Sequence, residues 1–175
     1  MAREVVVRLK RVSVTKAIVT GGAYSAKDVI SEVTTNALST AFVFSAIASS
    51  NGRGGYITKA RVISETTALT PRMVLFLYNA VPTCELDDNA ANTAPKHADL
   101  ANEIGFILFP AMDAASWTTT GDSEAIATPS TYGNLPLAFI CAADADDLWG
   151  VLVTLDAFTQ VAGDDMTVEL TVEQT

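Results

Sequence analysis

Hydrophobic and polar residues alternate most clearly near the C-terminal end of the chain. Four apolar residues there are separated by single threonine or glutamate residues, at positions Met166, Val168, Leu170 and Val172. Because successive side chains of a β-strand point to opposite faces, a period of two places one face on a core and the other in water. The pattern therefore predicts a C-terminal strand that is buried on one face.

The N-terminal segment alternates in the same way, but its phase changes. Val5, Val7 and Leu9 alternate with charged residues, whereas Val12 falls on the opposite parity. A β-bulge or a strand break at Arg11 is the simplest cause of such a change. The sequence therefore predicts an N-terminal strand that is interrupted near Arg11.

Charge favours pairing the two terminal strands with each other. Arg8 and Lys10 alternate outward from the apolar positions of the first strand, as Glu169 and Glu173 do in the last. Opposite charges that face each other on neighbouring strands contribute roughly 0.2–1 kcal/mol per pair. We predict that the two segments lie in one sheet. The alternative is that residues 1–20 form an arm that contacts a neighbouring subunit.

Further strands are predicted between the two ends. Six segments have strand composition: 38–49, 55–64, 72–78, 105–109, 137–142 and 148–155. Both faces of Met73–Tyr78 are apolar, which predicts a central strand covered on two sides. Helical composition is limited to residues 99–104, and residues 25–34 are ambiguous.

About eight strands without alternating helices predict an all-β fold. We expect an antiparallel β-sandwich, jelly-roll-like, with two long loops and little helix; a closed barrel is the alternative. The loops, residues 81–102 and 111–134, are expected at one end of the sandwich, where binding loops usually lie. Because neither a repeat nor a linker divides the sequence, residues 1–175 are predicted to form a single domain.

Composition and charge exclude several classes of protein. Hydrophobic residues make up 49% of the chain and charged residues 18%, which is too apolar for a disordered protein. The net charge of −9 argues against a nucleic-acid partner. All 11 basic residues lie at or before Lys96, whereas residues 97–175 contain 13 acidic residues. Folding either mixes the two signs on one surface or produces opposed faces suited to head-to-tail packing.

Candidate catalytic residues are few. The single histidine, His97, lies in a polar loop and is expected to be exposed, so it offers no catalytic triad. Cys84 and Cys141 lack a CxxC spacing and are expected to be buried free thiols, in a protein made in a reducing cytoplasm.

No membrane partner is predicted, since the longest mostly apolar run, 37–48, is shorter than the ~20 residues that span a bilayer. We assign no catalytic, cofactor-binding or metal-binding residue and expect no enzyme.

Three local patterns have alternative interpretations. The aspartates of residues 144–147 resemble the start of a calcium loop, but an EF-hand would require glycine and glutamate where Trp149 and Leu155 stand. A second acidic group spans residues 85–88. An irregular calcium site on the rim of a sandwich and a solvated turn are the two interpretations. The glycine-rich residues 52–55 lack the lysine of a phosphate-binding loop and are expected to form a hairpin tip.

The aromatic residues leave one further binding function open. Trp149 lies within a predicted strand and is expected to pack in the core. Trp117, Tyr132 and Tyr24 are the candidates for stacking on sugar rings, if one face of the protein exposes them. The sequence therefore keeps a carbohydrate-binding module as an alternative to a purely structural protein.

Four groups of short segments form a pattern in order along the chain: Ala23-Tyr24 with Asp28-Val29-Ile30; Gly55-Tyr56-Ile57 with Leu75-Phe76-Leu77-Tyr78-Asn79 and Pro82; Asp88-Asn89-Ala90-Ala91 with Asp99-Leu100-Ala101 and Gly105; and Leu135-Pro136-Leu137 with Leu148-Trp149-Gly150 and the strand that ends in Val172. Through this pattern the chain resembles a family of small tailed-phage virion structural proteins. Where the family usually has glycine after the Asp-x-Val step, this chain has Ile30-Ser31.

The resemblance implies a β-sandwich component of a phage particle. The role it implies is a capsid decoration, or cement, protein on the virion surface, which binds the lattice of the major capsid protein and assembles in the host cytoplasm. It also implies a homo-oligomer, most often a trimer. A tail or neck component has the same composition and remains the alternative.

Overall fold

The computed structural model describes residues 8–18, 22–32, 40–113, 121–129 and 134–175. Twelve strands are described: β1 (Arg8–Ala17), β2 (Gly22–Tyr24), β3 (Val29–Ile30), β4 (Phe42–Phe44), β5 (Gly54–Ser64), β6 (Met73–Tyr78), β7 (Glu103–Phe109), β8 (Ser123–Ala127), β9 (Leu137–Ile140), β10 (Leu148–Thr154), β11 (Phe158–Gln160) and β12 (Asp165–Gln174). The only helix in these residues is one 3₁₀ turn, His97–Asp99.

The strands form two five-stranded antiparallel sheets. The first sheet has the order β1-β12-β5-β8, with β9 also paired to β5. The second has the order β3-β10-β6-β7, with β4 also paired to β10. The short strands β2 and β11 pair with each other. The predicted all-β, antiparallel sandwich is confirmed.

One hydrophobic core lies between the two sheets. Its largest fully buried side chains include Phe42 and Phe44 from β4, with Leu75 and Leu77 from β6. The four apolar residues of the C-terminal pattern, from Met166 to Val172, are all 0% exposed and face this core. The predicted inward face of β12 is therefore confirmed.

The predicted pairing of the terminal strands is also confirmed. β1 and β12 pair antiparallel over ten residues, from Arg8 opposite Gln174 to Ala17 opposite Asp165. The register is continuous, so the predicted bulge or break at Arg11 is wrong for the described strand. Residues 1–7 of the predicted N-terminal segment, with Val5 and Val7, lie outside the described residues.

The orientation of β1 corrects the predicted charge pairs. Leu9 is 72% exposed, while Lys10 faces inward and donates a hydrogen bond from its Nζ atom to the carbonyl of Ala46. Lys16, 3% exposed, also faces inward and reaches Glu32 Oε1 at 2.6 Å. Both lysines lie on the edge strand; Lys10 is partly exposed, whereas the ammonium group of Lys16 is buried and donates to Glu32 and Thr40. The outward basic residue of β1 is therefore Arg11, not Lys10.

The outer face of the first sheet mixes the two signs of charge. Glu169 of β12 lies directly opposite Arg61 of β5, and the Nε atom of Arg61 donates to Glu124 Oε2 of β8 at 2.6 Å. The basic first half and the acidic second half of the sequence therefore meet on this surface.

The strand β6 is apolar on both faces, as its sequence predicts, and all of its residues except Phe76 are buried. Its inner side chains join the main core, while Val74 and Tyr78 belong to a second cluster that also contains Cys84. This cluster lies on the outer face of the second sheet and is covered by part of the segment 79–102. The long loop 81–102 was expected at one end of the sandwich, and this expectation is wrong because its apolar side chains lie across a sheet face.

Two further expectations are corrected. The segment 111–134 contains strand β8, which pairs with β5 from Ala60 opposite Ala127 to Ser64 opposite Ser123. The glycine-rich residues 52–55 do not form a hairpin tip, since Gly52 lies in the connection from β4 of the second sheet to β5 of the first, and Gly54 and Gly55 begin β5. A Cβ atom at Gly55 would lie 1.9 Å from the carbonyl oxygen of Glu173, so glycine is required by the close approach of β12.

Candidate functional site

An apolar groove lies open on the outer face of the second sheet, beside the segment 79–102. It has a volume of about 320 Å³ and is lined mainly by Val74, Phe76, Phe106, Leu108 and Leu155. The rings of Phe76 and Phe106 are 6.2 Å apart and tilted by 54°. Phe106 is 37% exposed, which is unusual for a phenylalanine in a sheet. The groove is of the size and composition of a binding site.

The lining of the groove includes one acidic side chain, Glu103, which is the register partner of Tyr78 on the neighbouring strand. Tyr78 and Asp99 lie beneath the surface, at 0% and 2% exposure, and do not line the groove. The Tyr78 hydroxyl and Asp99 Oδ2 are buried without a hydrogen-bond partner among the described residues, although Asp99 Oδ1 accepts from the backbone N–H of Thr83 at 2.9 Å. Glu103 is therefore the side chain of the lining that could pair with a cationic group.

The buried thiols have unusual acid–base properties. Burial, and then the Asp99 carboxylate, raises the pKa of Cys84 to about 11. Burial, followed by the carboxylates of Asp146 and Asp147, raises the pKa of Cys141 to about 11. Both residues are buried and free, as predicted. Because the thiolate is the nucleophile, neither residue is suited to covalent catalysis near neutral pH.

These pKa shifts predict a loss of stability at alkaline pH. An acid whose pKa is raised by folding stabilises the protein below its unfolded pKa, and this contribution is lost as the pH rises to the folded pKa. We expect the free energy of unfolding to fall between about pH 9 and pH 11, by on the order of 1 kcal/mol per thiol. Urea unfolding at pH 8 and pH 10.5 measures the change. A double Cys84→Ala, Cys141→Ala variant should depend less on pH, and an equal dependence would contradict the assignment.

The acidic groups singled out in the sequence serve local structure. Asp147 Oδ1 accepts the backbone N–H of Ala46 at 2.8 Å, and Glu85 Oε1 accepts those of Leu86 and Asp87 at 3.0 Å. Within the described part of the chain, no three acidic, histidine or cysteine side chains are placed to hold a metal ion.

A second recess lies on the first sheet. It has a volume of about 210 Å³ and is lined by Thr15, Ile63, Glu65, Asp122, Asp165 and Thr167. Glu65 Oε2 accepts the backbone N–H of Asp165 at 3.0 Å. The recess is polar and acidic, in contrast to the groove.

The remaining candidates do not form a site together. His97 is exposed, as predicted. Tyr24, a candidate for sugar stacking, is only 1% exposed and stacks on Phe158 with ring centroids 4.8 Å apart, so that role is wrong. Trp117 and Tyr132 lie outside the described residues. Trp149 packs against the second cluster and is half-buried.

Two segments that carry the family resemblance meet in the fold. The hydroxyl of Tyr24 donates to both carboxylate oxygens of Asp88, at 2.8 and 2.9 Å. The backbone N–H of Ser31 donates to Asp88 Oδ1 at 2.9 Å. Asp28 forms an isolated β-bridge with Ala91. These residues therefore attach the segment 79–102 to the sandwich and have a structural role.

No protein-family model matches the chain, and no curated protein sequence matches it. In the described residues, no helix has the length and apolar character that a membrane crossing requires.

Proposed function

We propose that the chain is a structural protein of a phage virion that decorates the capsid. In this role it binds the lattice of the major capsid protein, stabilises the head and self-associates, most simply as a trimer. In this role the protein lies on the outer surface of the virion, which is assembled in the host cytoplasm. The role requires a rigid fold with contact surfaces and no catalytic residues.

The contact between Tyr24 and Asp88 is the observation that carries the proposal. The resemblance rests on the order of several short segments, and two of them, 23–29 and 88–91, lie 64 residues apart at this hydrogen bond yet pack together. Two of the segments that carry the resemblance are thus part of one packed unit, and this contact supports the proposal. The open apolar groove adds support, because a protein that works by assembly needs exposed contact surface.

The proposal predicts a measurable effect on particle stability. Phage heads that carry the protein at full occupancy should be disrupted at a higher temperature than heads that lack it, because a ligand bound only to the intact lattice stabilises it. Differential scanning calorimetry of both kinds of head measures the shift. Adding the purified protein back to depleted heads is the control and should restore it.

Two results would contradict the proposal. An unchanged disruption temperature at full occupancy would refute a cement role. A few copies per particle, measured by quantitative mass spectrometry against the major capsid protein, would indicate the tail or neck instead.

A further inference from the structure

We propose that the apolar groove binds the start of strand β1 from a second copy of this chain. Leu9 of one copy packs against Phe106 of the next, and Arg11 pairs with Glu103. The inference rests on the self-association included in the proposed function and names the two surfaces that produce it.

The first surface is the outward face of β1. Leu9, at 72%, is the most exposed large hydrophobic side chain of the described residues. Leu9 and Arg11 point to the same side of the strand, about 6.6 Å apart along it. Because β1 is the edge of its sheet, a partner can approach this pair from the side as well as from above. The pair therefore presents an apolar group beside a cation.

The second surface is the groove, which has the complementary chemistry. Its floor is apolar, and Glu103 is the one acidic side chain of its lining. Neither Glu103 nor Arg11 takes part in any of the ion pairs found within the described residues. A few buried anchors usually carry most of the energy of an interface. Leu9 and Arg11 supply one apolar and one charged anchor of the required kinds.

The two surfaces lie on opposite sides of one molecule. Leu9 points outward from the first sheet, whereas Phe106 points outward from the second, so they cannot meet within a chain. Contact between them is heterologous, which means that each copy uses one surface to bind the next. Such a contact generates a closed ring when the rotation between successive copies closes, and an open chain when it does not.

Cysteine cross-linking tests the contact directly. We expect Leu9→Cys protein mixed with Phe106→Cys protein to form a mixed disulfide dimer under mild oxidation, faster than either variant forms one alone. The wild type supplies the background from Cys84 and Cys141, which are buried. If Leu9→Cys cross-links as readily with itself as with Phe106→Cys, the contact is symmetric and the inference is wrong.

Charge reversal provides an independent test. Glu103→Lys and Arg11→Glu should each weaken self-association roughly tenfold or more, and the double variant should regain most of it. Asp144→Lys, at an exposed acidic residue away from the groove, is the matched control and should leave self-association unchanged. Sedimentation equilibrium measures the association, and circular dichroism confirms that each variant is folded.

The outcomes separate this inference from the proposed function. A wild-type protein that remains an 18.4 kDa monomer at high micromolar concentration overturns the inference, even if it binds phage heads. Variants of Glu103 that self-associate normally but no longer bind heads would assign the groove to the capsid protein and would also overturn it. A confirmed contact between β1 and the groove with no effect on head stability would refute the cement role alone.

Discussion

Replacing Gly55 with alanine is expected to destabilise the protein by about 3 kcal/mol or more. The added Cβ atom would lie 1.9 Å from the carbonyl oxygen of Glu173, which belongs to the backbone of β12. Because the neighbouring atom is in a strand at the centre of the sheet, it cannot move aside as a side chain does. The two strands must separate locally, with a loss of hydrogen bonds. Urea or thermal unfolding measures the loss.

A second glycine provides the control for this substitution. A Cβ atom at Gly150 would lie 2.9 Å from Leu75 Cδ1 and from Phe44 Cε2, which are the ends of side chains. These ends can shift by a few tenths of an ångström, so Gly150→Ala should destabilise the protein distinctly less. Equal losses for the two variants would show that the close approach of β12 is not what requires glycine at position 55.

Replacing Asp88 with alanine is expected to cost about 3 kcal/mol or more. Asp88 is 4% exposed and accepts hydrogen bonds from the hydroxyl of Tyr24 and the backbone N–H of Ser31. Removing its carboxylate leaves both donors buried without this acceptor. The loss should appear as a lower midpoint of urea unfolding and as faster hydrogen exchange in the segment 79–102, which the contact holds against the sandwich.

A variant of Tyr24 separates the loss of its hydrogen bond from the loss of the hydrogen bond that Ser31 donates to Asp88. Tyr24→Phe removes one hydroxyl but keeps the ring that stacks on Phe158, so it should cost less than Asp88→Ala. Asp87, the adjacent residue on the same turn, is the positional control through Asp87→Ala. If Asp88→Ala leaves the exchange of residues 79–102 unchanged, the segment is held by its apolar contacts alone.

The sequence predicts the strands wherever burial alternates with a simple period. The β12 pattern is clear because every second residue of Met166–Val172 faces the core, and β6 is clear because both its faces are apolar. The phase of β1 was mispredicted because Lys10 and Lys16 occupy inward positions. Lysine is usually exposed, so only the fold reveals that these inward ammonium groups find acceptors in the carbonyl of Ala46 and the carboxylate of Glu32.

The groove was not predicted because its residues come from separate strands. Phe76 and Phe106 are 30 positions apart in the sequence and become neighbours only through the register of β6 and β7. The one signal in the sequence was the apolar content of both faces of β6, which indicated a covered strand. The segment 79–102 covers only part of that face, and no local pattern shows where the cover ends. Tyr24 was likewise mispredicted because its acceptor, Asp88, lies in a distant segment.

The pairing of β1 with β12 has a mechanical consequence. Arg8 lies opposite Gln174, so the ends of the two strands are at the same edge of the molecule. A load applied between these positions would separate the strands one residue pair at a time, like a zipper, because the hydrogen bonds of the ladder lie along the direction of pull. A load applied through the sheet faces would have to break many contacts together. The strand ends are therefore the mechanically weak points of attachment in this fold, and the sheet faces are the strong ones.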